Sequence, residues 1–256
     1  MMLANAPISW VPQPAAAPVC FVIVSEMRSG STLLTDLLAR RLPRVRVYGE
    51  LMHRYGAWWD ASVDAQIGLY EQHGRPAWVK QFRNPEDRYS KFGEFLGAVC
   101  GDATARAHDA TGWKFLGFQR KWVSHCTENS GCAWNQPLRA QLLRARSVRK
   151  IVLQRRNFTA QFASFKQAVR HGFFSGGHGS NGIALNTTEL QEWGAQQHQY
   201  YADVLADLRG QKYLHLTYED DLRDKRARER SVCRTATKPH PIPSYPIPSH
   251  PIPSYP

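Results

Sequence analysis

Residues Phe21–Arg41, FVIVSEMRSGSTLLTDLLARR, constrain the fold more than any other stretch of the chain. Phe21-Val22-Ile23-Val24 is a short, apolar, β-branched run, the pattern of a strand buried in a parallel sheet. Leu33, Leu34, Leu37 and Leu38 recur at helical spacing and give the closing half one apolar face. Between them, Arg28-Ser29-Gly30-Ser31-Thr32 must form a tight turn from strand to helix. Such a turn aims successive backbone N–H groups at one spot, where the helix N-terminus adds partial positive charge. An anion bound there gains hydrogen bonds without any long side chain, and Arg28 adds a full charge at the rim. The stretch predicts a phosphate cradle. The Walker pattern G-x-x-x-x-G-K-[ST] is absent, which argues against an ATP- or GTP-hydrolysing enzyme and against bound magnesium.

The whole chain is long enough for one α/β domain with a sizeable core, since it has 256 residues of which 43% are hydrophobic. The formal net charge of +12 suits an anionic substrate. Part of that excess is local: Arg223–Lys238 contributes +5 and leaves +7 for everything else, too little to imply nucleic-acid binding. Cysteines 20, 100, 126, 132 and 233 form no C-x-x-C pair and no zinc spacing, so no metal is expected. Free thiols are expected on the compartment argument, although Cys126 and Cys132 flank one loop and are placed to bridge under oxidising conditions. No secretory h-region and no run of transmembrane length is visible, and the expectation is a soluble, cytoplasmic protein. The sequons Asn157-Phe158-Thr159 and Asn186-Thr187-Thr188 leave a secretory route open.

Three regions are expected: an unstructured lead-in over residues 1–19, a domain over 20–222, and a disordered tail over 223–256. Within the domain, further strands are predicted at Arg44–Tyr48, Trp78–Phe82, Gly112–Gln119, Lys150–Gln154 and Lys212–Tyr218. Helices are predicted over Gln136–Arg146 and Phe158–Val169, and as a cap over much of residues 54–110. Thr188 with Gln191 reads as a capping box for the next helix, which Gly210 is suited to end. Strand and helix alternate repeatedly, which predicts a central parallel sheet flanked by helices on both faces. The glycine-rich segment Gly172–Gly182 suits a lid or substrate loop. The tail repeats Pro-Ile-Pro-Ser-Tyr and Pro-Ile-Pro-Ser-His, a composition for polyproline II or disorder.

A second anion-recognising pattern follows the fourth clear strand. Arg156 ends that strand and Ser164 lies eight residues on, within the next helix. Strand ends on one edge of a parallel sheet converge on a common crevice. The pattern therefore suggests a nucleotide with phosphate at two separated places, although Arg156 alone also reads as a surface cation. Arg28-Ser29-Gly30-Ser31-Thr32-Leu33-Leu34 resembles the 5′-phosphosulfate loop of sulfotransferases, and Arg156 through Ser164 resembles their 3′-phosphate motif. Tyr48-Gly49-Glu50-Leu51 and Gly112-Trp113-Lys114-Phe115 are similar to the branch containing trehalose and nodulation-factor sulfotransferases. Tyr213–Leu222, YLHLTYEDDL, resembles the late strand and turn of such domains.

The resemblance implies a P-loop-NTPase-like three-layer α/β fold. It also implies transfer of a sulfuryl group from 3′-phosphoadenosine-5′-phosphosulfate (PAPS) to an acceptor hydroxyl, without a metal. The N–H groups of Ser29, Gly30, Ser31 and Thr32 would then hold the 5′-phosphate and Arg28 would neutralise the departing oxygen. Arg156 and Ser164 would take the 3′-phosphate. The attacking hydroxyl needs a base, for which Glu50 is the first candidate and His53 the second, and a structural hydrogen bond is the plainer reading of either. Lys114 either stabilises developing charge or pairs with a nearby acid. The implied partner is a carbohydrate or other small hydroxylated acceptor. The rival readings are a nucleotide kinase-like phosphotransferase and an inert basic scaffold, the latter because Arg223–Arg228 and the Pro repeat stand where the family has a basic loop or further helices.

Overall fold

The computed structural model describes residues 18–51, 77–101, 108–117, 135–171 and 183–223. Five parallel strands make one sheet in the order β2-β3-β1-β4-β5: β1 Val19–Glu26, β2 Val45–Tyr48, β3 Ala110–Gly117, β4 Val148–Gln154 and β5 Tyr213–Thr217. The run identified from sequence is the central strand: Ile23 stands between Lys114 of β3 and Ile151 of β4, and Val22, Ile23 and Val24 are fully buried. Successive side chains face opposite sides of a strand, and the core divides accordingly. Phe21, Ile23, Leu153 and Leu216 pack under helix α1 (Ser31–Arg41) through Leu34. Val22, Val24, Trp113, Phe115 and Val152 pack on the other face beneath helices α2 (Ala77–Gln81), α4 (Phe92–Cys100), α5 (Asn135–Arg144) and α7 (Thr187–Asp207). Helices α3 (Pro85–Ser90) and α6 (Phe158–His171) complete the described elements. This is the expected three-layer α/β fold, a central parallel sheet flanked by helices.

The chain leaves β1 toward β2 on one side of the sheet and leaves β4 toward β5 on the other, yet β1 and β4 are neighbours. Their C-terminal ends therefore flank the crevice where open α/β sheets take ligands. Tyr201 of α7 spans this join from below, accepting from the Glu26 N–H at 3.3 Å and donating its hydroxyl to the Leu153 carbonyl at 2.8 Å.

Three sequence expectations change. Trp78–Phe82 is not a strand: residues 77–81 form α2, with Trp78, Val79 and Phe82 buried and Lys80 exposed. A strand would have put Lys80 on the same side as Trp78 and Phe82, whereas helical spacing turns it outward. Trp78 and Phe82 meet the Phe95 ring edge-on. The cap of α7 is Asn186, whose side chain accepts from the Glu189 N–H at 3.1 Å, not Thr188. Asn157 accepts likewise from the Ala160 N–H at 2.9 Å, so both sequon asparagines act at helix N-termini. The expectation of free thiols fails for Cys20 and Cys100, which are joined in a disulfide because β1 and α4 bring their Cα atoms to 5.4 Å. Cys126, Cys132 and Cys233, the segment Gly172–Gly182 and the Pro-rich repeats lie outside the described residues. No described helix is long and apolar enough to cross a membrane.

Candidate active site

The turn after β1 is built by two residues of positive φ, Arg28 at 60° and Gly30 at 96°. The Ser29 N–H closes it on the Glu26 carbonyl at 3.3 Å, and the first intrahelical bond of α1 runs from Leu34 N–H to Gly30 O at 3.0 Å. The amides of Ser31, Thr32 and Leu33 thus precede the first intrahelical donor. The Gly30 cap offers them no side chain, and the first turn carries no acid. Ser29 Oγ is buried without a partner. These donors are left open at the end of the central strand, the geometry in which helix N-termini can take an anion.

Arg28 adopts a backbone conformation rare for residues with a side chain, which costs on the order of 1–2 kcal/mol. Three contacts from the far side of the crevice hold it. Gln161 of α6 donates to the Met27 carbonyl at 2.7 Å, Arg155 Nη1 donates to the Arg28 carbonyl at 3.1 Å, and Arg28 Nε donates to Ser164 Oγ at 2.9 Å. Burial and the neighbouring Arg155 charge both lower the Arg28 pKa from its ordinary value. The two motifs singled out in the sequence, 136 residues apart at Arg28 and Ser164, are therefore in direct contact.

At the end of β4 the chain turns through Arg155, Arg156 and Asn157 into α6. Glu219, in the wide helical turn Tyr218–Arg223 after β5, accepts from the N–H groups of Arg156 at 3.0 Å and Asn157 at 3.1 Å. Burial pushes the Glu219 carboxyl up, but these donors and Arg155 outweigh it and hold its pKa below the ordinary range. The Arg156 guanidinium, half exposed, pairs with Asp220. Arg155 is more enclosed and lies over the Tyr218 ring, 4.7 Å from its centroid. Gly30 is required here: a Cβ would stand 2.8 Å from Tyr218 Cε2 and closer still to Cδ2.

On the other flank, Lys114 of β3 reaches across to the first turn of α1. Its Nζ lies 2.8 Å from Glu50 Oε1 and donates to Thr32 Oγ1 at 3.1 Å, while its backbone N–H donates to the Gly49 carbonyl at 3.1 Å. Of the two readings of Lys114, the pairing with a nearby acid is seen, and the acid is Glu50. Only 11% of the Lys114 side chain and 15% of the Glu50 side chain are exposed, so the pair is well shielded from water. His53 lies outside the described residues.

Sequence reasoning missed Arg155, Tyr218 and Glu219 as walls of the crevice, although the Arg-Arg doublet and the late Tyr-Glu turn were visible. It also missed Glu26, the last residue of β1. Burial drives that carboxyl well above its ordinary pKa, against the smaller pull of the Met27 N–H and the Arg139 charge, and its Oε2 has no partner.

No curated protein matches the chain. The profile described as "Sulfotransferase family" matches residues 18–240, which takes in the whole sheet, the cradle turn, the end of β4 and the turn after β5. An arginine-rimmed cradle at a topological switch point, joined to a serine on the helix after β4, is thus found within a match covering most of the sequence. The chain belongs to the sulfotransferase family.

Proposed function

We propose that the protein transfers a sulfuryl group from PAPS to a hydroxyl of a carbohydrate or other small acceptor, and that its catalytic unit is the domain spanning residues 20–222. The observation that carries this reading is the 2.9 Å bond between Arg28 and Ser164, which puts the cradle and the second phosphate motif within the reach of one nucleotide. The residues present fit such a donor. Ser31, Thr32 and Leu33 offer open N–H groups and Ser29 Oγ is buried without a partner, so a 5′-phosphate would satisfy donors that the fold leaves open. Arg156 and Ser164 would serve the 3′-phosphate, the group that separates this donor from AMP. The likeness of Tyr48–Leu51 and Gly112–Phe115 to the trehalose and nodulation-factor branch supports a carbohydrate acceptor.

The donor supplies an activated sulfuryl group. Glu50 takes the proton of the acceptor hydroxyl as its oxygen bonds to sulfur, and the sulfur–oxygen bond to the 5′-phosphate breaks. Arg28 neutralises the charge left on that phosphate oxygen. Lys114 keeps Glu50 oriented and ties it to Thr32 of the cradle, so the base is fixed relative to the phosphate site. Calorimetry with 3′-phosphoadenosine-5′-phosphate (PAP) and with AMP tests the reading. PAP is expected to bind more tightly; equal affinity, or no binding of either, refutes it.

A further inference from the structure

Two consecutive arginines close β4, and the structure gives them different surroundings. Arg156 points outward, half exposed, and Asp220 answers its charge. Arg155 turns into the crevice, where 18% of its side chain is exposed. One of its N–H groups goes to the carbonyl of Arg28 at 3.1 Å, which brings the guanidinium to the rim of the cradle turn. Its Nε is buried and lacks a hydrogen-bond partner. Among the described residues the nearest carboxylate oxygen, on Glu219, is 4.0 Å away, and that carboxylate already accepts from two backbone amides.

Arg155 is also close enough to Arg28 for its charge to depress the Arg28 pKa. The two like charges meet at the cradle turn, where Arg155 bonds the Arg28 carbonyl, and they repel one another. An anion between them removes that repulsion and adds charge-assisted hydrogen bonds. The aromatic support fits the same purpose. Tyr218 packs against Gly30 and carries the Arg155 guanidinium 4.7 Å from its ring centroid, which ties the fork to the cradle turn.

We propose that Arg155 and Arg28 form a guanidinium pair that binds the 5′-phosphate end of the donor, leaving the 3′-phosphate to Arg156 and Ser164. The proposal rests on the donor reading given above and adds a binding residue to it. The division of labour between neighbouring arginines predicts a pattern across three adenine nucleotides that no loss of folding imitates.

The experiment is calorimetry of the wild-type full chain, Arg155→Gln, Arg155→Lys and Arg156→Ala with PAP, 5′-AMP and 3′-AMP, beside melting curves without ligand. The wild type comes first: failure to prefer PAP over both monophosphates overturns the donor reading, and this proposal with it. Given that preference, Arg155→Gln is expected to lose roughly ten- to hundred-fold in affinity for PAP and 5′-AMP, the scale of a lost charge-assisted hydrogen bond, and almost nothing for 3′-AMP. Arg156→Ala is expected to show the opposite selectivity. Arg155→Lys, which keeps the charge but not the fork, is expected to fall between, and it carries the test if the glutamine variant does not fold. Equal losses for all three nucleotides, or a loss confined to 3′-AMP, overturns the assignment of Arg155 while leaving the donor reading intact.

Discussion

Replacing Gly30 by alanine tests whether the cradle depends on the aromatic shelf beneath it. Gly30 has φ near 96°, where a Cβ costs on the order of 1–2 kcal/mol. The new Cβ would stand 2.8 Å from Tyr218 Cε2. Carbon atoms rest about 3.5–4.0 Å apart, so the ring has to retreat by about 1 Å. Overpacking of that kind adds about 1–3 kcal/mol. The displaced ring carries Arg155, whose contact is worth about 0.5–2 kcal/mol and whose Nη1 supports the Arg28 carbonyl at 3.1 Å. Taking the three terms together, we expect Gly30→Ala to lose about 2.5–7 kcal/mol of unfolding free energy, against the 5–15 kcal/mol typical of a domain. Urea unfolding followed by tryptophan fluorescence reads this directly, since Trp113 and Trp193 are fully buried. Gly194→Ala is the control: a Cβ there meets nothing within 4 Å inside α7, and a gain of about 0.5–1 kcal/mol is expected. PAP affinity should fall in Gly30→Ala and stay unchanged in the control. A Gly30→Ala protein with wild-type stability and wild-type PAP affinity would refute the reasoning.

Other expected outcomes are more local. Glu50→Gln should lower the sulfuryl-transfer rate at saturating donor by roughly 10²–10⁴-fold while PAP affinity is kept, and an active variant moves the base to His53. Glu26 binds its proton more tightly folded than unfolded, so its contribution is full below the unfolded value of about 4.3 and is lost as pH rises toward the folded pKa. The stability advantage of Glu26→Gln over wild type should therefore grow as pH rises above about 4.3 in urea titrations, and a gap constant with pH contradicts a buried, raised carboxyl. Cys20 and Cys100 are 80 residues apart, a loop whose cross-link is worth about 4.5 kcal/mol on chain-entropy grounds. Cys20→Ser, or reductant added to wild type, should lower the urea midpoint accordingly; a midpoint indifferent to reductant argues against the bond.

What the sequence made legible is what depends on neighbours along the chain. The β-branched run of β1, the leucine spacing of α1 and the glycine at the turn each state their geometry within a few residues, and all three are found as read. The order of strands and helices then fixed a parallel sheet with covered faces. The strand expected at Trp78–Phe82 failed because five residues are too few for periodicity to decide, and packing of Trp78 on Tyr48 and Phe95 and of Phe82 on Phe95 accompanies the helix. The expectation of free thiols failed at Cys20 and Cys100 because compartment is a weaker constraint than the meeting of β1 with α4, which no local pattern announces. The distinction between Arg155 and Arg156 was hidden for a similar reason. It is made by Tyr218, Glu219 and Asp220, more than sixty residues downstream.

The same long-range contacts explain why one turn can organise the whole site. Thr32 and Arg28 belong to one short segment, yet Thr32 is bonded through Lys114 to Glu50 at the edge of the sheet, and Arg28 to Ser164 beyond its centre. A change in the turn is therefore felt on both flanks, at the residue that would take the acceptor proton and at those that would hold the nucleotide. Binding at the cradle moves Arg28 only if its bond to Ser164 and its carbonyl contact with Arg155 yield together, since both act on the same residue. Ser164→Ala separates the two: it removes the Ser164 bond to the Arg28 side chain but leaves Arg155 holding the backbone. Wild-type stability with weakened 5′-AMP binding in that variant, a ligand without the 3′-phosphate assigned to Ser164, would place the coupling in the side chain, whereas a loss of stability as large as that of Gly30→Ala would place it in the backbone of the turn.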